Sequence, residues 1–301
     1  MKKSNYGIIQ DTNISDRIYT ITVYVSIWLC IAVVIFPILN IISSSISNLD
    51  AVFTGKVLFW PVGFSLEGYK LIFTSKYILS GFNNSVIYTV FGTIINVVMT
   101  MMAAYPLSRK DLRCRNFVML IFAFTMLFNG GMIPTYLVVK NLHITDTIWG
   151  ILLPSAISVW NLIVTRTYIQ SNIPDELYES ASLDGCSDIK FLIRIVVPLS
   201  TPILAVITLL YAVGRWNSFF DALIYLNKIT MMPLQIVLRD ILINGGLSDM
   251  ALDASQQEYA LKMKYLLQYA LIIVSSVPLL LLYPFIQRYF IKGIMIGAIK
   301  G

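Results

Sequence analysis

Six runs of apolar residues, each long enough to cross a bilayer as a helix, constrain this chain more than any other feature. A hydrocarbon core of about 30 Å takes about 20 helical residues. The runs Tyr19–Ile42, Phe82–Tyr105, Phe117–Val139, Thr147–Tyr168, Leu199–Phe219 and Leu266–Phe290 meet that length, and none carries an Asp or Glu in its middle. Hydrophobic residues make up 57% of the 301 residues and charged residues 13%, against about 25% charged in an average soluble domain. Too few polar groups remain to cover a water-facing surface. The fold class expected is all-α: a polytopic membrane protein with six transmembrane helices. Pro37, Pro134, Pro154, Pro202 and Pro278 fall inside these runs, where neighbouring helices or water can satisfy the carbonyls they free. Most are expected to be kinks with a packing role.

Basic residues set the orientation. The connection between the second and third runs holds Arg109, Lys110, Arg113 and Arg115, and short basic loops stay on the cytoplasmic side. Six crossings then put both termini in the cytoplasm. Lys2, Lys3, Arg288, Lys292 and Lys300 agree, and the poorly charged Lys140–Asp146 loop falls outside. The layout is a cytoplasmic tail over 1–18, a transmembrane domain over 19–290 and a cytoplasmic tail over 291–301. The first run is longer than a signal-peptide core and is followed by no small-residue cleavage site, so it is expected to be retained. A net charge of +6 matches this topology and anionic headgroups, and gives no reason to expect nucleic acid as a partner.

Enzymatic chemistry finds little support. His143 is the sole histidine and sits in a loop, so no cluster with metal-ligand spacing exists. Cys30, Cys114 and Cys186 form no framework and lie where thiols stay reduced or inside a span. No Gly-rich phosphate loop is present, and neither cofactor nor metal is expected in this chain. Gly293 and Gly297 have helix-dimer spacing but fall after the last run, so they carry no weight.

The connection over 171–198 is the informative one. Pro174 suits a first helical position, and Asp175 and Glu176 fall in the first turn, where the helix dipole favours acids. Gly185 suits the left-handed residue just past a helix end. Ser187 is placed to cap a second short helix that runs to Pro198. The result is an elbow of two short helices, the first presenting Leu177 and Ala181 and the second Phe191 and Ile195. Read from its residues alone, it is either an ordinary amphipathic interfacial loop or a rigid element for a partner.

The run Glu179-Ser-Ala-x-x-x-Gly185, then nine residues and Ile195-x-Val-Pro198, resembles the EAA loop of binding-protein-dependent ABC importer permeases. The spacing matches throughout, with Ser180 in place of the first Ala and Val197 in place of Leu. Asp184-Gly185, Pro202, Trp216-Asn217 and the closing Lys292-Gly-Ile-Met-Ile-Gly-Ala-Ile-Lys-Gly301 resemble the carbohydrate, maltose-type branch. The resemblance implies that Glu179, Ser180, Ala181, Asp184, Gly185 and Pro198 build a coupling helix seated in a cleft of a separate ATPase subunit. It also implies a second homologous permease, two nucleotide-binding subunits that hold ATP and Mg, and an extracellular solute-binding protein or lipoprotein. The C-terminal tail would reach toward the ATPase dimer.

A sugar needs polar groups and aromatic platforms in a water-lined cavity. Asn161, Arg215, Trp216 and Asn217 are the in-span residues suited to that, with Asn96 and Tyr211 behind them; hydrogen bonding between helices is the other use of each. Between the fifth and sixth runs, Leu234, Val237, Leu238, Ile241 and Leu242 form a helical stripe started by Pro233 and stopped near Gly245-Gly246. It is expected on the outer membrane face or against the partner permease, and the family resemblance implies that it is a docking platform for an extracellular solute-binding protein. The competing readings are an ion-coupled secondary transporter, which would carry buried acids or paired broken repeats, and a permease of this kind for a solute other than a sugar.

Overall fold

The computed structural model describes residues 14–243 and 254–298. The described residues are helical and irregular, with no strand among them. In chain order the α-helices are α1 (Ile14–Ser45), α2 (Leu49–Phe53), α3 (Glu67–Thr74), α4 (Lys76–Ser108), α5 (Arg115–Leu127), α6 (Met132–Asn141), α7 (Ile148–Leu152) and α8 (Val159–Asn172). There follow α9 (Asp175–Leu183), α10 (Asp188–Phe191), α11 (Val197–Leu199), α12 (Thr201–Asn217), α13 (Phe220–Tyr225), α14 (Leu234–Ile243) and α15 (Ala254–Ala298). They group into two compact units. One takes the chain to Leu71 with the α15 residues to Ile273; the other runs from Ile72 to α14 and resumes at Val274.

Three helical stretches have spanning length and apolarity by themselves: Ile14–Ser45, Lys76–Ser108 and Leu261–Pro284. The expected third run is not one helix: α5 and α6 meet at 115°. Gly131, with φ +90°, makes the corner in a region that residues with a Cβ rarely enter. The fifth run is entered through a bend of 84° at Ser200. The expected fourth run is also interrupted: α7 ends at Leu152 and α8 begins at Val159. Pro154 lies in the gap, and its missing N–H and ring prevent a continuous helix. Among the described residues, three unbroken helices are long and apolar enough to cross a membrane, and up to five crossings result if each bent pair counts as one, where six transmembrane helices were expected. Of the expected tails, residues 1–13 and 299–301 lie outside the described residues, while α1 starts at Ile14 and α15 continues to Ala298.

In the second unit α4 is the central post, packed against α8, α12 and α14. Its buried face runs through Gly81, Ser85, Tyr88, Gly92, Asn96, Thr100 and Ala104, residues three or four apart and so on one side of the helix. Its exposed face carries Val86, Val90, Phe91, Ile94, Val98 and Met102. This inversion follows from the solvent. Lipid tails are as apolar as leucine, so helices associate through close backbone approach and polar contacts while apolar side chains face outward.

The stripe on α14 turns inward. Leu234, Ile236, Val237 and Ile241 are buried, and a Cβ on Gly81 of α4 would lie 2.8 Å from Val237. The N-terminus of α14 is fixed by Ser85, whose hydroxyl accepts the Leu234 N–H at 2.8 Å. Of the expected stripe, Leu234, Val237 and Ile241 are thus core of their own chain, while Leu238 is half-buried and Leu242 is 40% exposed. Gly245 and Gly246 lie outside the described residues.

Candidate functional site: a docking elbow and a polar cavity

The 171–198 connection folds as an elbow. Pro174 takes the N-cap position of α9 with extended backbone, and Asp175 and Glu176 occupy the first turn. The helix ends as a left-handed turn requires: Gly185 has φ +74°, its N–H reaches the Ser182 carbonyl at 3.0 Å, and the Cys186 N–H reaches Ala181 at 2.9 Å. Ser187 sits at the N-cap of α10 but makes no side-chain cap bond, so the expected cap is positional only. After α10 the chain widens into a π-helical turn over Leu192–Val196 and then passes through α11, which contains Pro198. A proline cannot donate to a carbonyl four residues back and its ring crowds that carbonyl. The wider turn removes the conflict and moves the exit bend to Ser200.

The inner side of the elbow is bolted down. Phe191 is 1% exposed, buried with Met101, Tyr105, Leu162 and Ile169. It anchors the elbow rather than being presented, against expectation. Lys110 pairs with Asp175 at 2.6 Å, and Asp175 beside it pushes the lysine amine up from its ordinary range. Arg109 pairs with Asp111 at 3.0 Å and holds that carboxyl below the usual range. The Arg109 guanidinium also lies 3.1 Å above the Tyr178 ring, a cation–π contact. The loop after α4 and the first elbow helix are thereby one body.

The outer side is free. Glu179, Ser180, Asp184, Gly185 and Pro198 are exposed and Ala181 is half-buried. Glu179 forms no ion pair among the described residues. Leu183 and Ile189, 91% and 72% exposed, flank the glycine at the tip. The sequence reading missed this pair, although two aliphatic residues either side of the turn glycine signal an apolar tip. Only Leu177, 41% exposed, is presented as expected.

A second feature is a cavity of about 480 Å³, open between α4, the α7–α8 break and α12.

A separate cleft of about 310 Å³ lies under the elbow, with Tyr105, Arg109 and Tyr178 among its lining residues.

The cavity exists because the fourth run is broken. Where α7 stops, its last carbonyls have no partner in their own helix, and Arg215 of α12 supplies one. Its guanidinium donates to the carbonyls of Ile151 and Leu152 at 2.9 Å each and of Ser155 at 3.1 Å, and to Asn96 Oδ1 at 2.9 Å. A cation at a helix C-terminus is also favoured by the dipole. Arg215 is 7% exposed, and Gly92 leaves it room: a Cβ there would lie 3.0 Å from Nε. Tyr211 holds the other end of the break, its hydroxyl accepting the Ser158 N–H at 3.0 Å and bonding Thr100 at 2.7 Å.

Asn161, Arg215, Asn96 and Tyr211 all line the cavity, and Trp216 and Asn217 do not. Successive helical residues point about 100° apart, so neighbours of Arg215 face elsewhere. Trp216 is buried against Phe82 and donates to the Ser275 carbonyl at 2.9 Å; Asn217 is exposed and donates to Val213 at 3.0 Å. Ser155, Ser158, Trp160 and Asp221 also line it and were not anticipated. Their signal was Pro154, which opens the helix beside two serines, and Asp221, an acid just past the fifth run.

The described residues thus form a helical bundle with membrane-spanning helices, an elbow and a polar cavity between the helices of its second unit. Residues 78–296 match the family model described as the binding-protein-dependent transport system inner membrane component, and the chain belongs to that family. It is therefore the permease subunit of an ABC importer, in which ATP hydrolysis occurs in partner subunits. It is 39% identical over 291 residues to the polygalacturonan/rhamnogalacturonan transport system permease protein YtcP of Bacillus subtilis, covering 95% of this chain and 99% of that one. It is 41% identical over 270 residues to protein LplC of the same organism, covering 90% of each. Among solved structures, a chain of a bacterial ABC transporter that imports the acidic polysaccharide alginate superposes with a TM-score of 0.84 at 34% identity, covering 92% of this chain and 98% of that one.

Proposed function

We propose that this permease forms one half of the translocation pathway for oligosaccharides derived from acidic polysaccharides, and that its elbow couples the pathway to a separate ATPase. The elbow carries the reading. Its inner face is fixed to α4 through Lys110, Arg109 and Phe191, while Glu179, Leu183, Gly185 and Ile189 are left outward. An element rigid behind and bare in front transmits a push. Glu179 offers a carboxylate to a cationic partner side chain, and Gly185 permits close backbone approach. Two nucleotide-binding subunits hold ATP and Mg; a second permease and an extracellular solute-binding protein complete the importer. Both termini are cytoplasmic in this reading, which rests on the basic loop after α4.

The solute class is supported by the names of the relatives, whose cargoes are polygalacturonan, rhamnogalacturonan and alginate. Growth and radiolabelled uptake on a panel of neutral and uronate-containing oligosaccharides, with and without this gene, test it. Loss of uronate oligosaccharide uptake is expected. Loss confined to neutral sugars would refute the solute class, and unchanged uptake of every solute would refute the transport role.

A further inference from the structure

The connection after α1 folds back along the helix instead of leaving it. Asn40, five residues before the end of α1, donates to the carbonyls of Val57 and Leu58 at 2.9 and 3.1 Å. Ser43 donates to the Phe59 carbonyl at 2.6 Å, and the Phe59 ring meets Phe36 edge-on at 5.0 Å. At 1.5 Å per residue, Asn40 lies about 7 Å and Phe36 about 13 Å below the helix end at Ser45. No charged residue occurs between Arg17 and Asp50 or between Lys56 and Glu67. The returning segment therefore reaches the depth at which α1 is still apolar.

Val57 is buried and Phe59 packs on α1, but the other large apolar side chains of the segment point away from the chain. Trp60 is 83% exposed and Phe64 72%, and Leu58, Val62 and Leu66 are exposed beside them. Part of its backbone is satisfied internally: besides the three carbonyls above, the Val62 carbonyl accepts the Asn48 N–H at 3.0 Å and the Val62 N–H donates to Ser47 Oγ at 3.0 Å. Each such bond lowers the cost of approaching the hydrocarbon, and Trp is the side chain that favours the headgroup boundary.

We propose that residues 57–66 form an interfacial anchor, with Trp60 and Phe64 inserted into the lipid leaflet at the Ser45 end of α1. The occupant is lipid because the segment continues the surface of a spanning helix whose apolar window is wholly exposed.

The test uses the full-length chain in its assembled importer, in phosphatidylcholine nanodiscs. Cys30, Cys114 and Cys186 are replaced by Ser, and a nitroxide is attached through Trp60→Cys or, separately, Phe64→Cys. Collision with oxygen should exceed collision with a water-soluble nickel chelate at both sites, as for a Leu39→Cys label on α1, and the order should reverse for Lys56→Cys. Nickel accessibility at both sites equal to that at Lys56 would overturn the proposal by placing the segment in water. Exclusion of both reagents would overturn it in favour of a protein partner. If a label at either site blocks assembly, Leu58→Cys asks the same question with the same outcomes.

Discussion

Arg215→Met removes four hydrogen bonds from the middle of the second unit. Hydrogen bonds inside membrane proteins average about 0.6 kcal/mol, with a ceiling near 1.7, so four give about 2–7 kcal/mol. The cavity narrows the range, because water entering it can serve Ser155 and Asn96, whereas the Ile151 and Leu152 carbonyls are left at a buried helix end. We expect a loss of about 2–4 kcal/mol. Arg215→Lys should recover a part, since one ammonium cannot reach acceptors on α4 and on both sides of the α7–α8 break together. The assay is thermal unfolding of the purified importer in nanodiscs, with uptake measured in parallel. Wild-type stability and uptake in Arg215→Met would refute the idea that this cation holds the break open.

Gly150→Ala places a Cβ 2.6 Å from the Ile144 carbonyl oxygen, a backbone atom with little room to yield, and should lower the unfolding temperature. Gly92→Ala pushes on Arg215 instead; its effect should shrink in an Arg215→Met background, and strict additivity of the two would show that they do not interact. Asp146 accepts two hydrogen bonds from Asn227, which hold its carboxyl below the usual range. Its contribution is therefore present above the usual carboxylate range and lost as pH falls through the lowered value. Asp146→Asn should reproduce that loss at neutral pH, read as a lower unfolding temperature; no change would remove the clip from the account.

The sequence exposed the membrane class, the elbow and its glycine because each rests on local chemistry: apolar run length, proline position and a left-handed turn. It did not expose the interruptions of the third and fourth runs, because an apolar run reports burial in lipid but not helical continuity. Pro154 and Gly131 were visible, yet prolines are often tolerated within spans. Arg215 and Asn161 were recognisable as polar residues among apolar ones, while Ser155 and Asp221 depend on how α7, α8 and α13 are brought together. Phe191 and the inward part of the α14 stripe were misread for a related reason: an amphipathic face shows that something covers it, not what.

The central claim is that the elbow couples transport to a separate ATPase. Gly185→Val tests it directly. No atom lies within 4 Å of a Cβ at this position, so the added side chain strikes nothing in this chain, but φ +74° resists it and the tip must bend. In proteoliposomes holding the complete importer, with insertion verified, the measurement is solute transported per ATP hydrolysed. The account predicts a fall in that ratio for Gly185→Val, and likewise for Glu179→Ala, with the permease still inserted. Wild-type ratios in both variants would contradict it.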